Sequence, residues 1–263
     1  MIDRRQAGSG QERRGARAGG DLIGVDVIAW AAETKVLLDA IAAGSAKHAW
    51  IPDRATTLTS SGNATSISDL WGAANQVQAT GASQPAYVAN GGPGNRPHIA
   101  PQDNARFLEA TTALAAGGRH GICLVAAAPN VADTRVIRSL GGGGANVATM
   151  VVTAGAVAFF TRGVTVGQQS ASVVTPANDF GFHRYDWRPL ATGWRSEIDG
   201  VLTTPTWTGP PTEAINEITT LAIGGNGGAS GGKIAALFVI DDPIDTKKAV
   251  MTAQLLKLFG PIP

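Results

Sequence analysis

Short apolar runs separated by glycine-rich and proline-rich turns fill the second half of the chain. Residues 122–128 are apolar on both faces and end at Pro129-Asn130, as a strand buried between two layers does. The pattern predicts further strands at residues 134–140, 146–153, 156–162, 180–188, 194–199, 218–224 and 233–240. Turns at this frequency favour a mainly β, two-sheet antiparallel sandwich over alternating strand–helix–strand units.

Two segments show helical periodicity instead. In the first, apolar residues recur near helical spacing up to Gly44, which predicts a helix over residues 29–43. In the second, an apolar stripe runs up to Gly260-Pro261 and predicts a short C-terminal helix. That stripe consists of Met251, Leu255, Leu258 and Phe259. Residues 50–109, rich in Ser, Thr, Asn, Gly and Pro, predict short strands and long loops.

The first twenty residues form a basic segment without apolar periodicity. Five arginines stand against Asp3 and Glu12, which gives this segment a charge of +3. Such a sequence cannot bury enough surface to offset its ordering entropy, so alone it should be disordered. A solvated tail and an arm that orders against a partner subunit are equally compatible with it. The arginines, which are candidate particle-anchoring residues, are Arg4, Arg5, Arg13, Arg14 and Arg17.

Composition limits the classes of binding partner and the cellular compartment that we expect. The net charge is only +1, which gives no strong attraction to nucleic acid or to anionic membranes. Cys123 is the single cysteine and lies in an apolar run, so we expect a buried structural thiol made in a reducing cytoplasm. The N-terminus carries no secretory signal, and residues 22–32 are too short an apolar stretch to cross a bilayer.

Several motifs follow one another along the chain: Gln84-Pro85-Ala86-Tyr87, Arg96-Pro97-His98-Ile99, the Asp199-Gly200 turn after a strand, and residues 221–226 and 232–239. In this order they resemble the motifs of concanavalin-like and laminin-G-like jelly-roll domains, including members from phage particles. The resemblance covers about residues 48–260. It implies two antiparallel sheets, one of them concave, with ligands at loops or on the concave face. It also implies roles from glycan binding to scaffolding, so the fold does not fix the function.

We therefore divide the chain into a flexible basic arm (residues 1–20), a helical anchoring segment (21–47) and a jelly roll (48–263). Some relatives of the resembled family bind calcium. The sequence indicates no converging set of oxygen ligands for it, and no other cofactor is predicted.

Three motifs suggest catalysis or nucleotide binding but lack a required part. Residues 227–233 match the start of a phosphate-binding loop, yet Ile234 stands where Ser or Thr is needed and a strand follows. The G-x-S-x-G of residues 228–232 is also followed by a strand. Glu197 and Asp199 match two carboxylates of laminarinase-like glucanases, but Leu202 replaces the third. The four histidines show no metal-ligand spacing, so no catalytic or metal-binding residue is predicted.

These observations lead to one main hypothesis and two alternatives. The main hypothesis is a non-enzymatic virion structural protein, such as a head spike, fibre or tail component, made in the bacterial cytoplasm and located on a virion or phage-like particle. Residues 1–47 would contact other particle subunits, with a homo-oligomer as the default, and the jelly roll would face host cell-surface polysaccharide. The alternatives are a free carbohydrate-binding lectin and, less favoured, a glycoside hydrolase.

The candidate glycan-binding residues are Trp207, Asn226 and Trp194. Trp207 lies in a segment rich in Pro and Thr, which predicts a loop. An exposed indole there would offer a sugar both apolar area and a hydrogen-bond donor. The pattern favours a Trp207 side chain that folds back over the edge of the sandwich over an exposed one.

Overall fold

The computed structural model describes residues 34–36, 39–40, 46–103, 105–114, 120–127, 134–140, 146–153, 156–162, 168–174, 181–190, 193–203, 206–207, 218–224, 232–241 and 244–262. Within these ranges the strands are β1 (Ala46–Trp50), β2 (Thr57–Ser60), β3 (Asn63–Ile67), β4 (Gln76–Val77), β5 (Ala86–Val88), β6 (His98–Ala100), β7 (Phe107–Leu114), β8 (His120–Ala127), β9 (Thr134–Leu140), β10 (Asn146–Thr153), β11 (Ala156–Arg162), β12 (Gln168–Val174), β13 (His183–Leu190), β14 (Gly193–Ile198), β15 (Val201–Leu202), β16 (Thr206–Trp207), β17 (Ile218–Gly224) and β18 (Lys233–Asp241). Helix α1 covers Ile244–Phe259, and short 3-10 turns lie at Gly81–Ser83 and Pro93–Asn95.

The strands form two antiparallel layers. In the first layer the pairing order is β1–β18–β8–β13–β14–β15. In the second layer the order is β2–β3–β4–β7–β17–β9–β10–β11–β12–β16. Strands β5 and β6 connect β3 to β18 and so link the layers along one edge. The predicted mainly β, two-sheet antiparallel sandwich is therefore confirmed.

Strand β8 is buried on both faces, as its apolar sequence predicted. Leu124 and Ala126 belong to the main core between the two layers. Cys123 and Val125, on the other face, belong to a second cluster that packs toward α1. Cys123 is buried, as predicted, and burial raises the pKa of its thiol well above the ordinary value.

Helix α1 closes the outer face of the first layer. Its stripe of Met251, Leu255, Leu258 and Phe259 is buried in the cluster that contains Phe238 of β18. The helix ends as predicted at Gly260, which has a φ of +70° and whose N–H donates to the carbonyl oxygen of Leu256 (2.9 Å).

The hairpin between β14 and β15 turns on the predicted Asp-Gly pair. Ile198 is opposite Val201, and the two residues between them, Asp199 and Gly200, have φ values of +52° and +79°. Two consecutive positive φ angles are those of a type I′ turn, which matches the twist of the flanking strands.

The N-terminal predictions are covered only in part. Residues 34–36 and 39–40 are helical and fall within the helix predicted at residues 29–43. Strand β1 begins at Ala46, two residues before the predicted start of the jelly roll. Residues 1–20, with their five arginines, lie outside the described residues, so the arm remains a prediction. In the described part of the chain, no helix has the length and apolarity to span a membrane.

His98 is expected to make the protein less stable in mild acid. Its side chain is buried, no described group hydrogen-bonds its Nδ1, and its ring meets Phe182 edge-on (centroids 5.6 Å apart). Burial, assisted by the charge of Lys233, lowers the pKa of His98 to about 4. His98 is therefore protonated near pH 6.5 in the unfolded chain but only near pH 4 in the folded protein.

The free energy of unfolding is therefore unaffected by His98 above pH 6.5, where the residue is neutral in both states. Between pH 6.5 and pH 4 it should decrease by about 3 kcal/mol. Denaturant titrations between pH 7 and pH 4 measure this loss. His98→Leu, which cannot take up a proton, should show a flatter profile over the same interval. An unchanged slope in that variant would contradict the assignment.

Candidate functional site

Side chains of strand β7 alternate between the core and the outer face of the second layer. Leu108 and Ala110 are buried in the main core, whereas Glu109 and Thr111 lie on the outer face. This alternation follows from the period of two in a strand, which sends successive side chains to opposite faces. The outer face of the second layer is therefore where β7 meets a ligand or solvent.

A row of four residues crosses this outer face. Val77 of β4, Glu109 of β7, Ala222 of β17 and Arg138 of β9 are neighbours in register, and directly opposite residues point to the same face. Arg138 extends across Ala222 and places its Nη2 4.0 Å from Oε2 of Glu109. The small side chain of Ala222 leaves room for that approach.

The two charged members of the row differ in exposure. The Glu109 side chain is 41% exposed, whereas that of Arg138 is 12% exposed. The carboxylate is therefore the charge that a ligand meets, and the guanidinium supports it from the side.

A cleft of about 500 Å³ opens beside this row, between β7 and residues 73–79. We call it the Glu109 cleft; its lining residues are Ala73, Ala74, Asn75, Val77, Gln78, Ala79, Phe107, Glu109 and Thr111. The volume lies within the range of about 300–1,000 Å³ that small-ligand sites occupy. The lining combines apolar surface with amide, hydroxyl and carboxylate groups.

One buried carboxylate, Asp69, shapes the loop that forms a wall of the cleft. Its Oδ1 accepts hydrogen bonds from the backbone N–H groups of Ala49 (3.0 Å) and Trp71 (3.1 Å). Its Oδ2 accepts from Ala74 N–H (3.2 Å) and pairs with Nδ1 of His48 (2.7 Å). Burial alone would raise the pKa of Asp69, but the hydrogen bonds from His48 and the backbone outweigh it and hold the pKa below its ordinary value.

Two further contacts fix this loop. The indole N–H of Trp50 donates to the carbonyl oxygen of Ala74 (2.8 Å). Gly72 passes so close to Asp69 that a Cβ there would lie 2.6 Å from Oδ2. A side chain at position 72 would displace the carboxylate, so the close approach requires glycine.

The polar side chains of the cleft are held by backbone hydrogen bonds. Asn75 Oδ1 accepts from Asp69 N–H (3.0 Å), which leaves its amino group as the donor for a ligand. Gln78 Oε1 accepts from Thr80 N–H (3.1 Å). The cleft thus offers amide, hydroxyl and carboxylate groups that can hydrogen-bond a ligand.

A second polar cluster lies under α1, and its Arg184, Asp186 and Glu197 side chains are buried. Arg184 Nε lies 2.7 Å from Oδ2 of Asp186, and Arg184 Nη1 donates to Oγ1 of Thr252 (2.7 Å). Glu197 is opposite Asp186 in register and is 1% exposed. Burial raises the pKa of Asp186. Arg184 and Thr252 also line a smaller cavity, of about 230 Å³, beside α1.

A glucanase of the laminarinase type would need Glu197 and Asp199 in one cleft. Glu197 is buried, whereas Asp199 lies in the turn, where its Oδ2 pairs with Nδ1 of His183 (2.6 Å) and its Oδ1 accepts from Arg184 N–H (2.8 Å). The two carboxylates thus lie in different surroundings, one buried and one in the turn. Within the described residues, no group of three His, Cys, Asp or Glu side chains is arranged to hold a metal ion.

The sequence-predicted glycan residues are not placed together by strand pairing. Trp194 lies on β14 in the first layer, and Trp207 lies on β16 at the edge of the second layer. The loop predicted around Trp207 is wrong at that residue, because Thr206 and Trp207 pair with Ser172 and Ala171 of β12. Asn226 lies outside the described residues. Its role and those of the two tryptophans remain predictions.

Sequence analysis missed the Glu109 cleft. One usable signal was the alternation along residues 107–114, where Leu108, Ala110 and Leu114 interleave with Glu109 and Thr111. The wall had no such signal, because Asp69 is bound by groups twenty and more residues away in sequence, such as Ala49 and His48.

The fold is similar to that of botulinum neurotoxin structures. The ligand-binding domain of botulinum neurotoxin serotype D, in complex with N-acetylneuraminic acid, gives a TM-score of 0.56 at 7% identity over 80% of this chain and 50% of that one. A structure of botulinum neurotoxin type C gives a TM-score of 0.50 at 10% identity over 80% of this chain and 51% of that one. Cell entry of that toxin is described as dependent on interaction with two ganglioside molecules.

These likenesses show a β-sandwich of the jelly-roll type, and the chain spans about half the length of those solved chains. At the sequence level, no family model and no curated protein matches. The resemblance to concanavalin-like and laminin-G-like phage domains therefore remains a prediction.

Proposed function

We propose that this chain is a non-catalytic glycan-binding protein that holds its ligand in the Glu109 cleft. The observation that carries the proposal is the lining of that cleft, where a half-exposed carboxylate, Thr111 and Asn75 surround the apolar surface of Val77 and Phe107. Sugars present hydroxyls at their edges and C–H groups on their faces, so this mixture complements them. The fold neighbours with carbohydrate ligands support the same ligand class.

Filling the cleft tests this proposal. Ala73 is exposed at its rim, and Ala73→Trp should abolish binding to any glycan that the wild type retains on an array, while leaving the melting temperature unchanged. Val201 is 69% exposed on β15 of the other layer, so Val201→Trp adds the same bulk elsewhere and should bind normally. Loss of binding in the Val201 variant alone would place the ligand elsewhere.

We further propose that the chain acts as a surface component of a phage-like particle, anchored through residues 1–47. The support is the basic arm, the phage-like motifs at residues 84–99 and an exposed cleft whose lining lies outside residues 1–47. The glycan would then be a host-surface polysaccharide.

Deletion of residues 1–20 tests the anchoring. The shortened protein should stay folded and keep its glycan binding but should no longer enter particles, as measured by sedimentation. Replacing the five arginines by glutamine at full length separates charge from length. Normal incorporation of both variants would contradict anchoring by the arm, whereas absence of the wild type from sedimenting particles would favour a free lectin.

A further inference from the structure

We infer that the Glu109 cleft selects uncharged saccharides with adjacent hydroxyls and rejects sugars that carry a carboxylate. This inference rests on the proposed function and adds the ligand class. It separates this chain from its fold neighbour in complex with N-acetylneuraminic acid, which is an acidic sugar.

The first step is the sign of the charge that the cleft presents. Glu109 is the charged residue among the described lining residues, and its side chain is 41% exposed. The other polar side chains of the lining, Asn75, Gln78 and Thr111, are neutral. A ligand that enters therefore meets one negative charge and neutral hydrogen-bonding groups.

The second step is the position of the cation that pairs with Glu109, Arg138. Arg138 Nη2 lies 4.0 Å from Glu109 Oε2, and the Arg138 side chain is only 12% exposed. It reaches Glu109 from β9, across Ala222, and does not line the cleft. Arg138 thus holds the carboxylate in place from the side and is not presented to the ligand.

The third step is the chemistry of the exposed carboxylate. An ionised carboxylate accepts hydrogen bonds through two oxygens, and such charge-assisted bonds are stronger than neutral ones. Two hydroxyls on neighbouring sugar carbons match that pair of acceptors. A second carboxylate at the same distance would be repelled, and close like charges near a protein surface weaken binding about tenfold or more.

The experiment compares two oligosaccharides with the same core by titration calorimetry of the full chain, one ending in a neutral hexose and one ending in sialic acid. We expect the neutral glycan to bind at least about tenfold more tightly. Raising the salt concentration should strengthen the binding of the sialylated glycan, because repulsion is screened. Tighter or equal binding of the sialylated glycan would overturn the inference and leave the proposed function standing.

Glu109→Gln tests the residue. This variant keeps the shape of the side chain and removes its charge. The affinity for the neutral glycan should fall about tenfold, and the ratio of the two affinities, neutral over sialylated, should become smaller. Asp103→Asn removes one exposed charge outside the cleft and should change neither affinity. An unchanged preference in folded Glu109→Gln would overturn the inference. Absence of binding to both glycans by the wild type would contradict the proposed function itself.

Discussion

Replacing Asp69 with alanine is expected to lower the free energy of unfolding by about 3–5 kcal/mol. The Asp69 side chain is fully buried and accepts hydrogen bonds from the backbone of Ala49, Trp71 and Ala74, besides its pair with His48. Alanine would leave these donors without an acceptor in a dry interior. Denaturant unfolding at pH 7 measures the loss, and glycan binding should fall with it because the wall of the cleft loses its support.

Asp69→Asn is the matched control. The asparagine side chain keeps one acceptor oxygen for some of the backbone N–H donors but places an amino group against the others. The loss of unfolding free energy should therefore be smaller than in Asp69→Ala. Because hydrogen bonds hold the pKa of Asp69 below its ordinary value of 3.8, its stabilisation is present above that pH and is lost as pH falls through the lower folded value. Both variants should therefore show a weaker dependence on acid than the wild type. A loss below about 1 kcal/mol in Asp69→Ala would contradict this role.

The parts of the fold that sequence could predict are those decided by neighbours in sequence. Strand β8 is apolar on both faces because it lies between the core and α1, and that appears directly in its run of apolar residues. The Asp199-Gly200 turn needs two positive φ angles, which this pair adopts readily, and Gly260 ends α1 for the same reason.

The Glu109 cleft depends instead on contacts between distant segments. Arg138 and Glu109 meet only because β17 inserts between β7 and β9, and no local pattern in either strand reports that order. Trp207 shows the converse error. Its flanking prolines indicate a loop, yet pairing with β12 overrides the local preference.

Breaking the buried ion pair under α1 is the other change with a large expected effect. Arg184→Met should destabilise the protein by about 3–5 kcal/mol at pH 7. In the wild type, the Asp186 carboxylate lies 2.7 Å from the Arg184 guanidinium. The variant removes that cation and leaves the buried carboxylate among Cys123 and Glu197, its neighbours in strand register. Burial already raises the pKa of Asp186, and removal of Arg184 should raise it further.

The pH dependence and a second substitution distinguish this cause from a simple loss of packing. A carboxyl group whose pKa is raised in the folded state is protonated there first, so Arg184→Met should regain stability relative to wild type as the pH falls from 7 toward 5. Adding Asp186→Leu removes the stranded charge and should recover most of the loss at pH 7, because apolar groups replace a buried pair at little cost. If the double variant is as unstable as Arg184→Met at every pH, the loss comes from the contacts of Arg184 with α1, such as that with Thr252, and not from the uncompensated Asp186.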